Sequence, residues 1–98
     1  MKQQVAIINW HDSVMSDGMQ VSRQKGIDYY KPVLGVSVGL VVNNNKDFIS
    51  IATDWFYKDD QFRQISVYPK SAIDKLQLKD LMSDSERKEY LSSIGKDE

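Results

Sequence analysis

The run of residues 33–42 constrains the fold of this chain more than any other segment. Its aliphatic residues recur at every second position and would share one face of an extended strand: Val36, Val38, Leu40 and Val42. A period of two is typical of a β-strand. Gly35 and Gly39 lie within the run, and glycine inside a strand indicates a bend or a close approach of another backbone. The segment therefore predicts a strand in a small sheet that curls into a barrel.

Four further segments have strand character, because β-branched and aromatic residues dominate them. They cover residues 5–10, 48–53 and 62–68, and a last short strand that ends near Leu76 and Leu78. We expect residues 5–10 to be buried on both faces. In the strand at 62–68 we expect Ile65 and Val67 to point inward and Tyr68 to lie on the polar face.

Turn residues separate these strands. Residues 43–47 are rich in Asn and Asp, which tolerate left-handed backbone angles and favour a hairpin loop. Residues 57–61 predict a second turn. Pro69 ends the fourth strand, and a tight or 3₁₀ turn should follow it.

The last twenty residues change character. Ser83 and Glu86 have the spacing of a capping box, and Tyr90, Leu91 and Ile94 then recur at helical spacing. These signals predict one helix over about 84–94, with Gly95 as its C-terminal cap. Residues 1–78 carry nine basic against eight acidic side chains, whereas residues 79–98 carry four against six. We therefore expect an acidic helical appendage on a nearly neutral barrel.

Composition excludes several classes of protein. The chain has no Cys and one His, so a disulfide scaffold, a thiolate nucleophile and a Cys- or His-rich metal site are excluded, and we expect no metal or cofactor. The net charge of −1 argues against long duplex DNA, which needs many Lys and Arg on one face. The longest apolar run, residues 5–8, is far shorter than the ~20 residues of a membrane span. We expect a cytoplasmic protein that does not bind membranes.

The common catalytic motifs are missing from the sequence. His11, Asp12 and Ser13 have the residue types of a hydrolytic triad, but consecutive residues cannot take the three roles around one substrate. Asp59 and Asp60 are adjacent in a turn, whereas a glycosidase holds two carboxylates across a cleft. The glycine motifs of phosphate loops, dinucleotide folds and nucleophile elbows are absent. These observations favour a binding protein over an enzyme.

The candidate binding segment is the long loop over residues 11–32. Its apolar residues follow neither the period of two of a strand nor the period of 3.6 of a helix. Such long loops in small domains are typically binding loops. Rings and cations in and beside it are the usual means of binding nucleobases and phosphates. The candidate ligand-binding residues are Trp10, Arg23, Lys25, Tyr29, Tyr30, Arg63, Tyr68 and Lys70. The alternative is structural, because aromatic side chains also fill the ends of small β domains.

Three parts of the chain carry a resemblance to one family. Residues 9–13 (NWHDS), followed by Gly18 and Met19, resemble the W-x-D-[SA] then G-W signature of small uncharacterised phage and prophage proteins, with Met19 in place of the aromatic residue. Residues 65–73 (ISVYPKSAI) are similar to their I-x-I-P-K-x-x-I ending, and residues 37–42 to their central hairpin. The resemblance implies an early-expressed phage accessory protein with an SH3-like or Sm-like barrel. Proteins of that kind blunt host defences by sequestering a nucleotide signal or by binding a host protein.

Together these observations predict a mainly β fold with a short C-terminal α-helix. A five-stranded SH3-like or Sm-like barrel would cover residues 1–79 with its loop at 11–32, and the helix and tail would cover 80–98. The leading hypothesis is a non-enzymatic protein that binds a nucleotide-derived host immune signal. The alternatives are an SH3-like module that inhibits a host protein and an Sm-like binder of single-stranded RNA. Because so short a helix is marginal alone, it should pack on the barrel or on a neighbouring subunit, and we expect a homo-oligomer.

Overall fold

The fold is mainly β, and over the described residues it consists of one five-stranded antiparallel sheet with two short α-helices. The computed structural model describes residues 2–12, 20–29 and 31–94. The elements in chain order are β1 (Gln3–Asp12), α1 (Arg23–Tyr29), β2 (Val33–Asn44), β3 (Phe48–Phe56), β4 (Gln61–Pro69), a 3₁₀ helix (Lys70–Ala72), β5 (Ile73–Met82) and α2 (Asp84–Ile94). The strands lie side by side in the order β4-β3-β2-β1-β5. Within the described residues no ladder joins β4 to β5, so the sheet is open.

The two faces of the sheet differ in burial. We call inner the face that carries Ala6 and Ile8 of β1, which are fully buried together with Ile49 of β3. Ile51 completes this core, and partly buried side chains pack against it: Trp10, Val41, Tyr68, Ile73 and Leu76. On the outer face the small residues Ser50 and Ala52 are also buried. Their cross-strand neighbours on β4 are the larger Val67 and Ile65.

Two glycines on the inner face of β2 let other groups approach closely. Gly35 pairs with Trp10, and a Cβ at Gly35 would overlap the Trp10 ring. A Cβ at Gly39 would lie 2.9 Å from both the Ala52 carbonyl oxygen and Ile51 Cβ. The expectation of a close approach at these glycines is therefore confirmed.

The turns and the C-terminal helix were predictable from their local sequence. The Asn45 side-chain oxygen accepts hydrogen bonds from the backbone N–H groups of Asp47 and Phe48, which closes the β2–β3 hairpin. A four-residue turn over 57–60 joins β3 to β4, and the 3₁₀ turn follows Pro69. Helix α2 spans Asp84–Ile94, as its cap and spacing indicate, whereas Gly95 lies outside the described residues. Strand β5 continues to Met82 and is longer than predicted.

The predicted facing of β4 is wrong. Ile65 and Val67 are more than half exposed on the outer face, while Tyr68 is half-buried against the core. Alternation shows which residues share a face, but it does not show which face is inner. Tyr68 can take the inner position because its ring packs and its hydroxyl finds a hydrogen-bond partner.

The prediction of an unstructured loop over residues 11–32 is also wrong in part. His11 and Asp12 extend β1, and residues 23–29 form the two turns of α1. The backbone N–H of Lys25 donates to Ser22 Oγ at 3.2 Å, which caps the helix. Such a short, solvent-exposed helix has no apolar stripe, so hydrophobic periodicity could not reveal it.

Candidate functional site

Trp10 and Tyr68 are the two predicted site residues that the fold brings together. Trp10 Nε1 and Tyr68 Oη both donate to Ser37 Oγ, at 2.9 and 2.8 Å. The two ring centroids lie 6.4 Å apart, and Gly35 lies against the Trp10 ring. We call these four residues the Trp10 cluster. Its polar atoms are paired and its rings face the core, which favours the structural alternative for Trp10 and Tyr68.

Arg63 lies on the outer face of the sheet, opposite the face that carries Tyr68. Its guanidinium pairs with Asp54, with Nη2 to Oδ2 at 3.0 Å, and lies 5.4 Å from the centroid of the Phe56 ring. The Asp54 carboxylate also accepts a hydrogen bond from Thr53 Oγ1 at 2.9 Å. The hydrogen bonds from Thr53 and then Arg63 hold the pKa of Asp54 below its ordinary value. Arg63 is therefore already engaged by a carboxylate and a ring.

The remaining predicted site residues lie elsewhere. Arg23, Lys25 and Tyr29 are on α1, and Tyr29 is 75% exposed. Lys70 begins the 3₁₀ helix, where its backbone N–H donates to the Asp47 carbonyl at 2.8 Å. Tyr30 lies outside the described residues. The predicted rings and cations are thus spread over both faces of the sheet, α1 and the 3₁₀ turn.

A second group of rings lies at the tip of the β3–β4 hairpin. Trp55 Nε1 donates to Asp60 Oδ1 at 2.9 Å, and the Trp55 ring stacks on Phe62 with centroids 6.4 Å apart. The centroid of the Tyr57 ring lies 5.6 Å from that of Trp55 and 5.6 Å from that of Tyr90 on α2. Partial burial, and then the neighbouring Tyr90, raise the pKa of Tyr57 above its ordinary value.

Arg87 of α2 fastens the helix to this hairpin. Its Nε donates to the carbonyl oxygen of Tyr57, and its Nη2 donates to that of Lys58 at 3.3 Å. The guanidinium carbon lies 5.7 Å from the centroid of Trp55. We call Trp55, Tyr57, Phe62, Arg87 and Tyr90 the Trp55 cluster. Helix α2 therefore contacts the hairpin of its own chain, while Tyr90 and Ile94 stay about half exposed.

The start of α2 is fixed by the predicted capping pair. Ser83 Oγ accepts a hydrogen bond from the Glu86 backbone N–H at 3.1 Å and donates to Glu86 Oε1 at 3.1 Å. The cap sets where the first turn begins, and so places Arg87, Leu91 and Ile94 on the side that meets the hairpin.

An open groove of about 550 Å³ runs between the hairpin and α2. It is lined by residues 55–57, Lys58 and Asp59 on one side and by Leu91 and Ile94 on the other. One wall therefore carries aromatic rings, the other carries aliphatic side chains, and the hairpin turn adds one cation and one carboxylate. The sequence shows the rings at 55–57, but it does not show that a helix thirty residues further on packs beside them.

The described residues hold no group of three His, Asp or Glu side chains that could bind a metal ion. Neither of the helices described is long and apolar enough to cross a bilayer. No protein-family model, curated protein or solved structure matches this chain.

Proposed function

We propose that this chain is a non-enzymatic binding protein that takes a small ring-bearing ligand of nucleotide type in the groove between the β3–β4 hairpin and α2. The groove itself carries the proposal. Its volume of about 550 Å³ falls in the range of small-molecule sites, which are mostly apolar with a few polar groups. A nucleotide has the matching parts, which are a flat base, a sugar with hydroxyls and an anionic phosphate.

Each part of such a ligand has a partner in the groove. Phe56 is 49% exposed, and the part of its ring that Arg63 leaves uncovered can accept a base by stacking. Leu91 and Ile94 cover the base from the other wall. Lys58 can meet the phosphate, and the Asp59 carboxylate can accept from the sugar hydroxyls.

The order of the strands supports the barrel that we propose on the basis of the resemblance. The order β4-β3-β2-β1-β5, with a 3₁₀ turn between β4 and β5, supports an SH3-like or Sm-like barrel, and the bond from Tyr68 to Ser37 supports the curl. On that resemblance, we propose an accessory protein of phage type that sequesters a nucleotide-derived defence signal in the host cytoplasm. Sequestration needs tight binding and no reaction.

Isothermal titration calorimetry with AMP, a cyclic dinucleotide and ADP-ribose tests this function. We expect heat with at least one of the three, and Phe56→Ala to weaken that binding about five- to 150-fold, because stacking on one ring contributes ~1–3 kcal/mol. Tyr29→Ala is the matched control, since it removes an exposed ring from α1. The absence of heat with all three ligands would overturn the proposal. Binding lost in Tyr29→Ala and kept in Phe56→Ala would move the site to α1.

A protein partner is the second candidate for the groove. The observation in its favour is that Phe56 and Ile94 are both about half exposed, beside few charges. In that case one host protein should co-purify in stoichiometric amount after nuclease treatment, and Ile94→Asp should release it. Binding to single-stranded RNA would instead fall steeply with salt and vanish after nuclease treatment.

A further inference from the structure

The outer face of β2 carries a row of apolar side chains in solvent. Leu34 is 74% exposed, and Val36 and Val38 are each 62% exposed. The inner face of the same half-strand is filled, because Gly35 and Ser37 lie against Trp10. Three aliphatic side chains in a row on one strand are costly to leave in water.

The same half of β2 has an unpaired backbone edge. β2 pairs with β1 from Val33 to Leu40, but it pairs with β3 only from Leu40 onward. Residues 33–39 therefore have a ladder on one side only within the described part of the chain. Residues 33–45 also contain no charged side chain and no proline. Natural edge strands usually carry such residues, because they block pairing with another chain.

We propose that a second copy of this chain docks on this half of β2, by antiparallel pairing of residues 34–38 about a twofold axis at Val36. The strand is complementary to a second copy of itself. With Val36 on the axis, Leu34 of each copy lies opposite Val38 of the other, so the two apolar rows join on one face. An uncharged strand meets an uncharged strand, and both free edges become hydrogen-bonded.

The exposed area of the chain is sufficient for such a dimer. The chain exposes 7576 Å². A compact monomer of its mass would expose about 5,700 Å². A standard interface buries about 800 Å² on each partner, which is less than this surplus of about 1,900 Å².

Light scattering coupled to size exclusion tests the dimer. The wild-type chain should have twice its 11.3 kDa mass, and Val36→Lys should give a monomer because it places two like charges together at the axis. Val67→Lys is the control, since Val67 is an equally exposed valine on the outer face of β4. A monomeric wild type, or a Val36→Lys variant that stays dimeric, overturns the proposal.

A cysteine cross-link tests the register without disturbing the fold. The chain has no cysteine, so Val36→Cys introduces a single thiol in each copy. Two residues on the twofold axis lie directly opposite each other, within disulfide reach. Diamide should convert Val36→Cys into a covalent dimer and leave Val67→Cys monomeric on a non-reducing gel. Equal cross-linking of the two variants, or none in Val36→Cys, contradicts this pairing.

Discussion

The two tryptophans of the chain have similar polar contacts and different surroundings. In each, the indole N–H donates at 2.9 Å to a side-chain oxygen, Ser37 Oγ for Trp10 and Asp60 Oδ1 for Trp55. Each ring also lies beside a tyrosine. The rings of the Trp10 cluster face the core, and Gly35 packs against the Trp10 ring. The Trp55 cluster instead borders a groove of about 550 Å³. Residue types alone therefore do not separate a structural ring from a candidate binding ring.

The difference comes from the elements that meet at each cluster. Strands β1, β2 and β4 all contribute to the Trp10 cluster, and rings and glycine interlock there. At the Trp55 cluster a hairpin meets a helix, and Arg87 holds them together through two backbone carbonyls. Hydrogen bonds of this kind fix the position of a helix without filling the space beside it. The groove is the space left between them.

The largest effect is expected from adding one methyl group to the Trp10 cluster. Gly35→Ala places a Cβ on the Trp10 ring, so we expect a loss of about 3 kcal/mol of stability from overpacking. Chemical denaturation measures it. Gly26→Ala is the matched control, because nothing lies within 4 Å of a Cβ there, and it should be neutral or slightly stabilising. Equal effects in both variants would show that the Trp10 cluster is not close-packed.

A smaller loss is expected when α2 is released from the hairpin. Arg87→Ala removes two hydrogen bonds from a charged donor and the contact over Trp55, so we expect a loss of about 2 kcal/mol and a change in the near-ultraviolet circular dichroism of Trp55. Lys88→Ala, on the same helix, should change neither. An unaltered spectrum in Arg87→Ala would mean that Arg87 does not hold the Trp55 cluster together.

The cap of α2 should contribute less than its anchor. Ser83→Ala removes the acceptor for the Glu86 N–H, and we expect it to cost about 1 kcal/mol, seen in thermal unfolding. Ser85→Ala, two residues further on, should be neutral or stabilising because alanine favours a helix. A Ser83→Ala variant as stable as wild type would exclude the cap as a determinant of where α2 begins.

The smallest effect is the pH dependence contributed by Asp54. Its pKa is lowered in the folded chain, so its stabilising contribution is present above the unfolded-state pKa of about 3.9 and is lost as pH falls through the lower folded value. Thermal midpoints of wild type and Asp54→Asn should therefore converge at acid pH and differ most near neutrality. A gap between them that is constant over pH would contradict the pairing of Asp54 with Thr53 and Arg63.

Local signals in the sequence predicted the turns and the helix that they stabilise. Features that depend on contacts between distant residues were not predicted. Ser83 and Glu86 fix the start of α2, and Asn45 fixes a hairpin, because capping and turn bonds join residues close in sequence. The facing of β4 was missed because the amphipathic Tyr68 reads as polar although its ring is half-buried. The groove was missed because it forms only when residues 87–94 pack against residues 55–59.

Chemical-shift mapping of the chain during titration with whichever of AMP, the cyclic dinucleotide or ADP-ribose binds tests the central claim most directly. We expect the backbone resonances of Phe56, Lys58 and Leu91 to move in proportion to bound ligand, while those of Trp10 and Tyr29 stay in place. Shifts confined to α1 and the Trp10 cluster, with the groove resonances unmoved, would contradict the assignment of the groove as the binding site.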